Sequence, residues 1–160
     1  MKYIILLILI TSTQTVMSQR TTQYKSLLVY KISEYVVWPN NPEKVNIGTF
    51  GRTEVHDVLT KFARKKDHMT VSSLNQVSDL GNCHLVYLPE EQSGLLSDIR
   101  SKIGNTSVLI VSEDKDMIRK GADVVIFMDN GKLKYVVNEG SIMAKGMTPS
   151  RKLAALGTNL

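Results

Sequence analysis

Apolar positions along the chain follow two spacings, and the places where the spacing changes mark the elements. From Gln19 to Trp38, the residues Tyr24, Leu27, Leu28, Ile32, Tyr35 and Val36 fall three and four apart, which predicts an amphipathic helix. Val29, Val37 and Trp38 widen its apolar face beyond one core contact, so Val29, Tyr30 and Val36 are candidate partner-contact residues. Pro39 ends the helix, because a residue before proline is pushed out of the helical region. Trp38 is expected to plug the bottom of the core.

Four short apolar runs then read as strands: Val45–Phe50, Met69–Ser72, Cys83–Leu88 and Val108–Val111. The last is rich in β-branched residues, as strands buried on both faces are. Helical patterns separate them. Thr53 is placed to cap a helix whose inward stripe is Val55, Val58, Leu59 and Phe62. Arg64-Lys65-Lys66 at its far end suit the helix dipole. A polar connection runs from Leu74 to Asn82. Pro89-Glu90-Glu91 opens the next helix, with core positions Leu95, Leu96, Ile99 and Ile103 before Gly104. A short helix over Lys115–Lys120 is stopped by Gly121.

The run Val124–Met128 leads into Asp129-Asn130-Gly131-Lys132. Asn-Gly between two strand-like runs predicts a two-residue hairpin with positive φ at both residues. The returning strand alternates Leu133, Tyr135 and Val137 with Lys132 and Lys134, and those lysines discourage further pairing at that edge. A helix over Glu139–Lys145 ends at Gly146. Thr148 as cap and Pro149 in the first turn then start a last helix with Leu153 and Leu156 inward. Strands alternating with helices predict an α/β fold: three layers, α/β/α, with a mostly parallel sheet and one antiparallel edge hairpin.

Residues 1–18 stand apart from this pattern. Lys2 and the eight apolar residues from Tyr3 to Ile10 precede a polar run ending in Val16-Met17-Ser18, the build of a secretory signal peptide cleaved near Ser18. Residues 19–160 are then one exported domain, expected in the periplasm. No later run is long enough to span a bilayer, so no stable membrane insertion is expected. Removing Lys2 lowers the formal charge from +5 to +4. Export argues against a nucleic-acid partner despite the basic balance. Cys83 is the only cysteine, so it stays unpaired, and its place at the start of an apolar run predicts a buried, inert thiol.

The chain carries no phosphate-binding loop, no dinucleotide fingerprint and no serine-hydrolase elbow. His56, His68 and His84 have no metal-ligand spacing, and no nucleophile has a base at motif spacing. No cofactor, metal or catalytic residue is predicted, and a hydrolase ranks last among the readings. One positional expectation remains: open α/β sheets bind ligands beyond the carboxyl ends of their strands. Those ends offer Gly51 and Arg52, Glu90, and Ser112, Glu113 and Asp114. Gly51, Arg52, Ser112, Glu113 and Asp114 are therefore the candidate small-ligand set, although ordinary caps and turns account for the same residues.

Taken together, Ile32-Ser33-Glu34-Tyr35-Val36-Val37-Trp38-Pro39, the strand into Gly51, and Cys83 with its apolar run resemble the YfiR-like family of exported bacterial proteins. So do Val108–Ser112 with Gly121, and Asn138, Gly146, Ser150, Lys152, Leu153 and Leu156. The resemblance implies a periplasmic α/β domain that is not an enzyme. It implies binding to the periplasmic part of a membrane signalling protein, a diguanylate cyclase held inactive or a sensor kinase, and hence restraint of cyclic di-GMP output. A homodimer is the second protein contact this reading allows. Two departures stand out. Family members often carry a cysteine that bonds to the one matching Cys83, and here it has no partner. Pro149 and Arg151 replace an aliphatic and a small residue of the closing motif. The competing reading is a periplasmic receptor domain for a small solute.

Overall fold

The computed structural model describes residues 19–156, 158 and 159, and the side chains up to Leu153. The predicted signal peptide and the inward position of Leu156 lie outside the described residues and side chains.

The first helix, α1, covers residues 19–34 and stops short of the predicted end at Trp38. The Tyr35 N–H is shared between the Lys31 and Ile32 carbonyls, which closes the last turn. Val36–Val37 then form a short strand, β1, antiparallel to a second short strand at Thr148–Pro149. Two β-branched residues before Trp38-Pro39 are poor helix formers, and a partner from the far end of the chain takes them. Trp38 is buried as expected, its indole N–H donating to the Ser33 carbonyl at 3.3 Å and its ring meeting His84 edge-on.

The main sheet contains β2 (Val45–Phe50), β3 (Met69–Leu74), β4 (Leu85–Leu88), β5 (Leu109–Ser112), β6 (Val124–Asp129), β7 (Lys132–Val137) and β9 (Thr158–Asn159), with β8 being Thr148–Pro149. Its order is β3-β2-β4-β5-β6-β7-β9, parallel except at the β6–β7 hairpin. The hairpin turn takes the predicted form, with φ of 49° at Asn130 and 72° at Gly131. The last two residues of β7 pair with β9, so the edge left open there is the stretch that carries Lys132 and Lys134.

Helices cover both faces. On one lie α1, α2 (Glu54–Ala63) and Leu153 of α6 (Arg151–Leu156), over Ile47, Leu85, Leu109 and Ile126. Thr53 caps α2 as predicted, accepting the His56 N–H. On the other face two 3-10 turns (Val77–Leu80 and Glu90–Leu95), α3 (Leu96–Ile103) and α4 (Met117–Lys120) cover Phe50, Val86, Ile110 and Val125. Cys83 is buried there without a disulfide, and burial pushes its thiol up. Gly48 leaves room for it: a Cβ at that position would sit 2.7 Å from the Cys83 sulfur.

At the C-terminal end the predicted cap Thr148 and first-turn Pro149 are both in a strand instead. Thr148 is in β8 and Ser150, not Thr148, caps α6, its hydroxyl accepting the Leu153 N–H at 3.4 Å. Between β7 and β8, α5 (Glu139–Ala144) is capped by Asn138, whose side chain accepts the Ser141 N–H at 2.9 Å.

Candidate functional site

The carboxyl ends of β2 and β5 are separated in the sheet by β4. Gly51 leaves β2 with φ 72°, and Arg52 beyond it is 80% exposed, with a 3.8 Å contact to Asp57. Ser112 is buried and its hydroxyl accepts the Asp114 N–H; the Asp114 carboxylate in turn accepts the Asp116 N–H at 2.9 Å. Both side chains thus close the turn into α4. Glu113 accepts a hydrogen bond from the Tyr87 hydroxyl and pairs with Lys25 of α1 at 2.9 Å. Burial, reinforced by the Glu113 carboxylate, holds the Tyr87 phenol protonated far above the ordinary range.

More of α1 and α2 meet nearby. The Thr22 hydroxyl donates to Glu54, and Thr49 Oγ1 lies 2.6 Å from His56 Nδ1. Thr49 is completely buried and His56 half-buried. Among the described residues no group of His, Cys, Asp or Glu is arranged to hold a metal ion.

The predicted partner-contact set falls elsewhere. Val29, Tyr30 and Val36 are 0%, 6% and 4% exposed and belong to the core. The sheet lies under α1, and Val36 is turned inward in the β1–β8 pair, so these three residues are used inside the domain, while Val37 beside them is exposed. The Tyr30 hydroxyl donates to Glu34, which also pairs with Lys31 at 2.7 Å. Burial, and then that hydrogen bond, push the Tyr30 phenol up to about 12. Burial acts to raise the Glu34 carboxyl, but hydrogen bonds from Lys31 and Tyr30 prevail and hold it below the usual range.

What α1 shows to solvent is Tyr24, 62% exposed, and Leu27, 43% exposed. They line an apolar groove of about 400 Å³ with Leu28, Leu133 and Tyr135, and Lys31 at its side. The groove lies between α1 and the open part of β7. A second, more polar groove of about 680 Å³ lies at the amino ends of the strands, around Glu34, Trp38, His68, Ser150 and Arg151. A third, of about 590 Å³, holds Asp114 among Arg100, Arg119 and Lys120. Arg52 lines none of the three.

Sequence reasoning did not single out Asp123. It is completely buried at the head of β6 and accepts from the Ile110 N–H, the Ser141 hydroxyl at 2.6 Å and Lys145 Nζ at 2.6 Å. Lys145 also donates to the Val108 carbonyl, so the cluster pins the segment after β7 against the ends of β5 and β6. The readable signal is an acid directly before an apolar run.

No curated protein sequence matches the chain. Several solved structures share its fold. A conserved domain protein from Vibrio cholerae O1 biovar El Tor is 11% identical with a TM-score of 0.58, over 86% of this chain and 59% of that one. The ABC domain in complex with L-Trp from Streptococcus pneumoniae is likewise 11% identical with a TM-score of 0.58, over 86% and 61%. The chain therefore spans about 60% of the length of either, and at this identity the likeness concerns the fold alone. Among the described residues no helix is long and apolar enough to cross a membrane. The family model described as YfiR/HmsC-like matches residues 22–158, almost all of the described chain, and so the chain belongs to the YfiR/HmsC-like family of periplasmic regulatory proteins.

Proposed function

We propose that this protein is an exported, non-enzymatic regulator that binds the periplasmic part of a membrane signalling protein, of the diguanylate cyclase or sensor kinase type, and restrains it. Family membership supports a regulatory role. The observation that carries contact with a protein is the exposure of Tyr24 and Leu27 beside Leu133, large apolar side chains gathered at one groove. Aromatic and aliphatic anchors in a groove are what protein partners bury. The receptor reading, built on Gly51, Arg52, Ser112, Glu113 and Asp114, is weaker. Ser112, Glu113 and Asp114 each already have a polar partner within the chain.

Leu27→Glu tests the proposal. The side chain is exposed, so circular dichroism and melting temperature stay near those of the parent. Pull-down of the periplasmic part of a cyclase or kinase encoded beside this gene is lost, and cyclic di-GMP rises in cells where the partner is a cyclase. Full binding by a folded Leu27→Glu protein overturns the assignment of this groove.

A further inference from the structure

The two edges of the sheet are treated differently. Along β7 the bare stretch carries Lys132 and Lys134, and the remainder is covered by β9. Natural sheets guard their edges with such devices. The opposite edge, β3, has none. Its six residues, Met69-Thr70-Val71-Ser72-Ser73-Leu74, include no charge, no proline and no glycine. They pair with β2 in regular register from Met69 to Leu74, without a bulge. Among the described residues no strand lies on the outer side.

The hydrogen bonds to β2 determine which backbone groups are bare. Val45 N–H donates to the His68 carbonyl and Gly51 N–H to the Leu74 carbonyl, at 2.9 and 3.0 Å. In a parallel ladder the residues between alternate, so His68, Thr70, Ser72 and Leu74 turn their groups to β2. Met69, Val71 and Ser73 turn their N–H and C=O away from the sheet. These three residues are symmetric about Val71.

We propose that β3 is an interface for a second copy of this chain, pairing antiparallel with its counterpart across a two-fold axis at Val71 to join the two sheets. That axis places Met69 opposite Ser73 of the second copy and Val71 opposite itself, each a hydrogen-bonded pair made from the bare groups. Thr70 and Ser72 then face one another between those pairs, and Thr–Ser and Val–Val are favourable cross-strand neighbours. An isologous contact of this kind uses the same patch twice and closes on itself. The charges at the strand ends fit the same pairing. Lys65, Lys66 and Asp67 precede β3 with a net positive charge, and Asp79 follows it, exposed. Antiparallel pairing sets Lys66 opposite Gln76 of the second copy and Asp67 opposite Asn75, the two residues whose N–H groups hold the Asp79 carboxylate, so a net positive end meets an acidic one. Hydrogen bonds from Asn75, Gln76 and Ser78 keep the Asp79 carboxyl ionised. A strand pair this short suits a weak, concentration-dependent dimer.

Two variants and one direct readout test this. Sedimentation of the purified protein should show a dimer that dissociates on dilution. The amides of Met69, Val71 and Ser73 should exchange slowly in concentrated protein and quickly in dilute protein. Val71→Lys sets two like charges against each other at the axis and should weaken association roughly tenfold or more. Ser73→Pro removes an outward N–H without touching the β2 ladder, so it serves if Val71→Lys fails to fold. A protein that stays monomeric when concentrated overturns the proposal, as does a dimer that both folded variants leave unchanged. Protection of these amides only on adding another protein assigns the edge to a different partner and overturns the second copy.

Discussion

Lys145 Nζ lies 2.6 Å from a carboxylate oxygen of Asp123, and that carboxylate is completely buried. The pair joins α5 to the head of β6, with the Ser141 hydroxyl and the Ile110 amide donating to the same carboxylate. A buried ion pair contributes little beyond a good apolar replacement, yet half of one is costly. Lys145→Met should therefore destabilise the protein by about 3–5 kcal/mol. Lys145→Met with Asp123→Asn should recover part of the loss, because no buried charge is left without a counter-ion. Urea unfolding of the two variants checks this; equal losses would mean that the charge itself is not the source.

Gly131 supplies the second prediction. Its φ is 72°, and a Cβ built there meets nothing within 4 Å. Gly131→Val should therefore cost more than about 1 kcal/mol through backbone strain alone. Gly48→Ala is the opposite case, with ordinary φ and a Cβ 2.6 Å from a Leu74 methyl. It should cost about 1–3 kcal/mol through overpacking. Trimming Leu74 to Val should relieve only part of the second loss, because the Cys83 sulfur still lies 2.7 Å from that Cβ, and should leave the first variant unchanged, as read by melting temperature.

Alkaline stability gives the third. Tyr30 is raised from 10.0 to about 12 by burial and by the Glu34 hydrogen bond. A raised phenol stabilises the fold fully below the unfolded value of 10.0, and this contribution is lost as pH rises toward 12. Tyr30→Phe should therefore flatten the fall in unfolding free energy across that window. Tyr87 and Tyr135 are raised as well and should keep part of the slope. An unchanged slope in denaturant titrations would show that Tyr30 is not coupled to unfolding.

Local chemistry was legible wherever the cause was local. The apolar runs around Leu85–Leu88 and Leu109–Ser112, the Thr53 cap and the Asn130-Gly131 turn each follow from neighbouring residues. Features made by distant partners were not. Val36 and Val37 read as helix because nothing beside them announces Thr148–Pro149. Val29, Tyr30 and Val36 read as surplus apolar surface because a sequence shows how wide a helix face is, but not how much the fold covers. Asp123 and Lys145 are each unremarkable until the sheet brings them together. The strand-end set was placed correctly at carboxyl ends, yet whether Glu113 is free depended on Tyr87 and Lys25 meeting it from other elements.

The clasp between β1 and β8 bears on when the chain can fold. Val36 finds Pro149, and Tyr35 accepts the Ser150 N–H at 2.7 Å, so the first part of the domain is secured by nearly the last. Contacts between such remote segments form only after a long loop has closed. Until residues 148–150 arrive, Val36 lacks its strand partner and the Tyr35 carbonyl lacks its donor. A protein delivered unfolded across a membrane benefits from that order of events. With this clasp the domain is closed only once residues 148–150 have arrived, an order of events that suits the export proposed above.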